Sequence, residues 1–543
     1  MAGGWKKASA LALAAVVLGG AACTSGTEKG SGSSATTAAA GGTSGSGRTG
    51  AITSVPGLDP SALPVMNQPA YAKGDWWLAV KDIDTGETLI SYNADRLVEP
   101  GSVVKTYSSG AVWLADGPDS KLTTPVKRSG EVAGGTLDGD LVLVAQGDLT
   151  MGGRRKADGT VDFTNLDHND ANELPGATLT PEDPLTGLDQ LAAQVKQSGI
   201  TTISGNVVVD DRLWDPHKLV NGPVSPIIIN ENLIDFLTTP TQPGQSATIE
   251  MRPKVAPWTL DNQVQTVPAG GKTKIEVSSA DEKTVTLKGT IAADSDPVVN
   301  VYAFKDPATF ARTAFIEALQ RAGVTVAADP LATNAAATLP ASSAVEALPT
   351  VASLESLPLD QEALYVLKVS YNRGAETFIC RLAVQAGSKD CTDGLAKAAE
   401  LWKAAGLDTT GAALIDGSGL TGNLITPMNQ ADLQAIMAKR PDAARWKATL
   451  PILGVDGSLA MVQPDSPAMG KVFAKTGSLG AGDFFNDRLR LPTKALGGVM
   501  ETAKGRKLAF AIVASNALFA DINGVFAAND DVGKVAAIIQ QQY

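Results

Sequence analysis

Apolar and polar positions alternate along Trp76–Asp82, a period of two that predicts a strand, and a second strand is predicted over Thr88–Tyr92. Asp84-Thr85-Gly86 between them is turn chemistry, so the pair predicts a hairpin. Beyond Glu99-Pro100-Gly101, the run from Ser102 to about Ala115 reads as a helix. From about Lys127 short β-like runs take over: Gly139–Val144, Val207–Val209, Thr248–Met251, Thr273–Val277 and Val285–Ile291. Two helical stripes interrupt them. Leu188, Leu191, Ala192 and Val195 recur at helical spacing and stop at Gly199. Ala311, Ala314, Phe315, Ala318, Leu319 and Ala322 form the second stripe, behind an Asp306-Pro307 cap. Such stripes predict core faces rather than ligand sites.

Ala327–Leu357, rich in Ala, Pro, Ser and Thr, reads as a surface connector. Helices are expected again around Arg373–Ala386, Leu395–Ala405 and Met428–Lys439, and strands near Val472–Thr476 and Lys507–Ala514. The pattern predicts an α/β domain built from residues 56–126 and 346–543. A mainly β insert, residues 127–345, splits it and is itself the size of one or two nested subdomains.

The N-terminus has the shape of an export signal. Lys6 and Lys7 precede an apolar run, Ala8–Leu18, too short to span a bilayer. Small residues follow and then Cys23, so residues 1–23 resemble a bacterial lipoprotein leader with Cys23 as the lipidation site, although Gly20 stands where that motif usually has Leu. Residues 24–55, largely Gly, Ser, Thr and Ala, have the composition of a flexible spacer. The expected location is the cell envelope, anchored by lipid to the outer face of the cytoplasmic membrane. In an oxidising compartment Cys380 and Cys391 could form a disulfide; the alternative is two buried free thiols.

Length, composition and charge narrow the chemistry. The chain has 543 residues, 44% of them hydrophobic, enough for a large core. A net charge of −12 argues against a nucleic-acid partner. His168 and His217 are the only histidines, neither lies in a His-Glu-x-x-His pattern, and the three cysteines lack Cys-x-x-Cys spacing. No metal or other cofactor is expected, and a Ser-His-Asp triad is disfavoured.

Three short motifs, in order, suggest a base other than histidine. Ser102-Val103-Val104-Lys105 puts a lysine three residues after a serine, on one helix face, so the amine can activate the hydroxyl. Burial or a nearby cation would make that lysine a base near neutral pH. Ser370-Tyr371-Asn372 offers a hydroxyl for proton relay and an amide for a substrate peptide bond. Lys475-Thr476-Gly477, which Ser478 follows, offers a cation and a hydroxyl to a carboxylate, with a glycine that admits a ligand backbone. Each motif alone is common; the ordered set is the pattern of penicillin-binding proteins and serine β-lactamases.

The chain resembles the D-alanyl-D-alanine carboxypeptidases/endopeptidases of the low-molecular-weight class C penicillin-binding proteins. Further stretches carry the likeness: Gly222-Pro223-Val224-Ser225, Asn230-Glu231-Asn232, Asp416-Gly417-Ser418-Gly419-Leu420, and Leu450-Pro451 leading to Gly454-Val455-Asp456-Gly457-Ser458-Leu459. The wide gap between Ser102 and Ser370 also fits a family with a large insert there.

The resemblance implies a penicillin-binding transpeptidase fold, peptidoglycan stem peptides as substrate and β-lactams as inhibitors. Ser102 would carry the acyl group, Lys105 would be its base, and Ser370, helped by Lys475, would pass a proton to the leaving D-Ala. Asn372 would bind the substrate amide, Thr476 and Lys475 its carboxylate, and the N–H groups of Ser102 and Ser478 its oxyanion. An insert aspartate, Asp210 or Asp211, would meet the amino group of the stem peptide. Three departures stand out: Gly101 where alanine is usual, Tyr371 within the second motif, and Gly480–Met500 reading as an extra loop after the third. Alternatives to an active carboxypeptidase or endopeptidase are a catalytically weak cell-wall scaffold of the same fold and a β-lactam hydrolase.

Overall fold

A five-stranded antiparallel sheet forms the platform of the site, in the order Val472–Asp483, Arg488–Glu501, Lys507–Phe519, Asp75–Asp82, Thr88–Tyr92. The structure, a computed structural model, describes residues 50–220 and 222–543. The expected leader, Cys23 and the spacer as far as residue 49 therefore lie outside the described residues. The central strand Lys507–Phe519 is apolar on both faces because both are covered. The C-terminal helix Asn523–Gln542 covers one, with Trp76, Leu78, Phe510 and Ile512 between. Lys105–Asp116, Leu359–Val369, Asn372–Gln385 and Pro427–Ala438 build the other side, around Trp113, Tyr365, Phe378 and Trp446.

The insert has its own core. A six-stranded sheet contains Thr123–Ala133, Thr136–Val144, Thr202–Ile203, Val207–Asp210, Thr325–Val326 and Thr350–Glu355. Helices Thr186–Gln197 and Pro307–Arg321 pack beside it through the two predicted stripes, and Asp306 caps the second helix by accepting from the Thr309 N–H. Two three-stranded sheets, one around Leu233–Thr239 and one around Thr284–Ala292, and a two-stranded one, His217–Leu219 with Gly222–Val224, complete it.

Several expectations need correction. Ile52 and Val55, within the stretch read as spacer, are buried in the main core, and the Ile52 N–H and C=O both bond the Asn67 amide. The insert's sheet reaches past both expected boundaries: Thr123–Ala133 starts before residue 127, and its partner Thr350–Glu355 lies in the stretch read as connector. The extra loop is not a loop. Val472–Asp483 and Arg488–Glu501 pair as a long hairpin, and Arg488–Glu501 continues the main sheet against Lys507–Phe519. Leu489, Leu491 and Leu496 are buried beneath it, while Phe484 and Phe485 at its tip are 70% and 96% exposed. Arg488 bonds Asp483 across the tip, and Arg490 bonds Asn516.

Candidate active site

Ser102 sits in a single 3₁₀ turn, Gly101–Val104, that runs directly into the helix Lys105–Asp116. In a 3₁₀ turn residues i and i+3 eclipse, which brings Lys105 over Ser102. Lys105 Nζ donates to Ser102 Oγ at 2.8 Å, Asn372 Oδ1 at 2.6 Å and the Ser418 carbonyl at 2.8 Å. All three ammonium protons thus have acceptors. The Ser418 carbonyl is aimed by Asp416, whose Oδ1 accepts the N–H groups of Ser418 and Gly419 at 2.7 and 2.6 Å.

Gly101 is explained by packing. Its φ is +54°, and a Cβ there would lie 2.8 Å from the Ser478 nitrogen. The serine turn and the strand carrying Lys475-Thr476-Gly477 therefore meet backbone to backbone, with the Ser478 N–H beside Ser102. Gly477 is equally constrained, since a Cβ there would fall 2.0 Å from the Pro100 carbonyl oxygen.

The second motif closes the cleft. Ser370 ends the helix Leu359–Val369 in the left-handed region, φ 65° and ψ 36°, a costly conformation for a residue other than glycine. There its Oγ accepts from Lys475 Nζ at 2.9 Å. Lys475 also donates to the Thr476 carbonyl, and Thr476 Oγ1 lies 2.8 Å from Ser458 Oγ. The two lysines are thus each bonded to one serine hydroxyl: Lys105 to Ser102, Lys475 to Ser370.

Both lysines are fully buried. Burial pulls Lys105 from 10.5 down to about 7, against the opposing pull of Asp170, Asp416 and Glu376. Burial, reinforced by the cations of Lys105 and Lys494, holds Lys475 well below the ordinary lysine range. Lys105 is therefore available as a base near neutral pH.

Of the residues singled out in the sequence, Ser102, Lys105, Ser370, Asn372, Lys475, Thr476, Gly477 and Ser478 come together in this cleft. Asp210 and Asp211 do not join them. Asp210, at the end of Val207–Asp210, is clamped by Arg212 at 2.7 and 2.9 Å. Burial raises Asp211, whose charged neighbours are Asp306, Asp210 and Arg212. The insert's acidic contribution is instead Asp170, on the short turn His168–Asp170. Burial pushes its carboxyl up to about 7, Glu173 adds to the rise, and Lys105 and Lys475 oppose it. That segment is pinned to the cleft rim: Asn165 accepts the Gly457 N–H at 2.8 Å, and Asn169 donates to the Val369 carbonyl at 3.3 Å.

Tyr371, the departure within the second motif, does not line the cleft rim. It is 2% exposed and packs against Tyr365, so its ring belongs to the core. Cys380 and Cys391 are joined by a disulfide, under Trp214, Leu219 and Val224 of the insert. Asp167, His168 and Glu231 converge closely enough to suggest a metal centre. The Arg154 guanidinium, however, occupies that position: it donates to Asp167 at 2.8 and 2.9 Å, to Glu231 at 3.2 Å, and lies 2.9 Å from His168 Nε2. The centre is satisfied by an internal cation.

Sequence reading missed Asp170, the Ser418 carbonyl, Ser458 and Lys494. Ser418 and Ser458 lay in quoted stretches but had no assigned role; Asp170 is one acid in a polar run and Lys494 a lone lysine in a largely apolar one, and neither has a local motif to mark it.

Comparison with known proteins agrees with this geometry. The family described as D-Ala-D-Ala carboxypeptidase 3 (S13) matches residues 64–531. A D-alanyl-D-alanine carboxypeptidase of Actinomadura sp. (strain R39) is 27% identical over 481 residues, 83% of this chain and 79% of that protein. D-alanyl-D-alanine carboxypeptidase DacB of Haemophilus influenzae is 23% identical over 454 residues, 79% of this chain and 83% of that protein. The crystal structure of penicillin-binding protein 4 from Haemophilus influenzae superposes with a TM-score of 0.64 at 20% identity, covering 89% of this chain and all of that one. Its complex with a β-lactam gives 0.62, also at 20% identity, covering 88% of this chain and 97% of that one.

Proposed function

From the premise that this chain belongs to the D-Ala-D-Ala carboxypeptidase 3 (S13) family, we propose that it removes the terminal D-Ala of peptidoglycan stem peptides through an acyl-enzyme on Ser102. The single observation that carries this assignment is the 2.8 Å bond from a buried, neutralisable Lys105 to Ser102 Oγ. Lys105 takes the hydroxyl proton as Oγ attacks the penultimate D-Ala carbonyl. The backbone N–H groups of Ser102 and Ser478 meet the developing oxyanion. Ser370, bonded to Lys475, delivers a proton to the leaving amine, and the C–N bond breaks. Water then attacks the ester and Ser102 is released. A β-lactam follows the same first step, but its opened ring keeps the leaving nitrogen attached. Asp170 supports recognition of a cationic group on the stem peptide, the role first expected of Asp210 or Asp211.

The paired lysine–serine contacts favour an active enzyme over a scaffold of the same fold. The test is D-Ala release from a diacylated tripeptide ending in D-Ala-D-Ala. Wild type should release it and Ser102→Ala should not; equal release, or none from either, sinks the proposal. Rapid loss of a penicillin label with Ser102 intact would point to β-lactam hydrolysis instead. Cleavage of cross-linked dimers by the same serine would extend the activity to endopeptidase.

For location, the reading is an envelope protein held by lipid on Cys23. It rests on Lys6, Lys7, the apolar run and the spacer, and no helix of the described residues is long and apolar enough to cross a membrane. Palmitate labelling that persists in Cys23→Ala would contradict it.

A further inference from the structure

Lys494 lies on Arg488–Glu501, directly opposite Ser478 in the hairpin register. Its side chain is 3% exposed, yet its Nζ donates to Ser478 Oγ at 2.6 Å. Ser478 is exposed on the cleft side, one residue beyond Lys475-Thr476-Gly477. Lys494 is thus a buried cation on the same sheet face as Ser478, reaching the cleft through that one hydroxyl.

No carboxylate among the described residues pairs with it. Burial alone accounts for its displacement to about 7, with no acidic neighbour pulling it back. Lys494 in turn acts on the nearby Lys475, helping to lower it. An unpaired buried ammonium destabilises a fold. A ligand carboxylate would bring Lys494 the counter-charge that its neighbours do not supply. The hydroxyl geometry points the same way: Ser478 Oγ has one proton and two acceptor positions. With Lys494 donating to the oxygen, the serine's own proton is free to turn toward the cleft.

We infer that Lys494, acting through Ser478, positions the terminal carboxylate of the substrate, forming with Lys475 and Thr476 an anion site that selects free carboxyl ends over esters, amides or extended chains. The inference rests on the acyl-enzyme reading above and names how that site chooses its substrate.

The test uses two thioesters that differ in one group: a D-alanyl thioester ending in a carboxylate and its methyl ester. Both are reactive enough for turnover of the neutral compound to be measured. Wild type should prefer the acid. Lys494→Met should lower kcat/KM for the acid at least tenfold, mainly through KM, and change the methyl ester less than twofold. Ser478→Ala should reduce the same acid-to-ester ratio, and the double variant should lose no more discrimination than Lys494→Met alone. Lys494→Arg should restore part of the ratio. If Lys494→Met does not fold, the ratio in Ser478→Ala decides alone. An unchanged ratio in these variants, whether both rates fall together or neither falls, overturns the inference while the acyl-enzyme stands. If wild type shows no Ser102-dependent turnover of either thioester, both fall.

Discussion

Lys105→Arg tests whether burial makes the base. The displacement of Lys105 from 10.5 to about 7 corresponds to about 5 kcal/mol of preference for the neutral amine. At pH 7 an ordinary lysine is neutral in roughly 3 of 10,000 molecules, whereas Lys105 is neutral in about half, a gain of about 10³ in the reactive form. The base must be neutral to accept the Ser102 proton, so acylation should rise with pH, reach half its maximum near 7, and then level. Arginine keeps the cation but does not release its proton. Lys105→Arg should therefore lose the rise and acylate about 10³-fold more slowly at pH 7.5, within the usual range for a general base. The assay is stopped-flow acylation by a fluorescent penicillin from pH 5.5 to 9.5, with a melting curve to show that the variant folds. A wild-type profile still rising through pH 9, or a variant that keeps a midpoint near 7, refutes the reasoning. The same displacement affects stability. Between pH 7 and 10.5 the unfolded chain holds a proton that folded Lys105 has lost, so this residue makes stability grow as pH rises. Its contribution is lost again as pH falls through about 7.

Other consequences follow from single contacts. Asp170→Asn removes an anion that favours charged Lys105, so the midpoint of the acylation profile should move to lower pH; a move upward contradicts the electrostatics. Gly101→Ala places a Cβ 2.8 Å from the Ser478 nitrogen at a φ of +54°; it should slow acylation at least tenfold and destabilise by about 1–2 kcal/mol, and normal acylation would show that the two backbones are not in contact. Replacing Cys380 and Cys391 by alanine opens a loop of sequence separation 11 and should reduce unfolding free energy by about 3 kcal/mol on the loop-closure scale, read as a lower denaturation midpoint with penicillin labelling retained.

The sequence revealed the catalytic cleft better than the fold around it. Ser102, Lys105, Ser370, Asn372 and Lys475 lie in three short motifs whose spacing or residue order has a chemical meaning, and the structure brings all three motifs together. Strands and helices with clean periodicity, such as Asp75–Asp82 and Pro307–Arg321, were also legible. The hairpin after Gly477 was not, because Pro492, Gly497-Gly498 and the buried polar pair Thr493 and Lys494 break the alternation that marks a strand. Thr350–Glu355 was hidden by an Ala- and Pro-rich approach, since it becomes a strand only by pairing with residues more than two hundred positions earlier. Tyr371 looked like a departure in the relay. Its backbone caps the helix Asn372–Gln385 while its ring turns into the core, a separation that no local pattern encodes. Asp210 and Asp211 stood at a strand end, as Asp170 stands on a turn. Only the tertiary placement of the insert decides which acid faces the lysines.

The most direct test of the central claim is a mass map of the protein after reaction with benzylpenicillin. The tryptic peptide Leu97–Lys105 contains Ser102 as its only serine. The account predicts that this peptide alone gains the mass of one opened penicillin, with fragment ions placing it on Ser102. An adduct on any other peptide, or no adduct while D-Ala release continues, would contradict it.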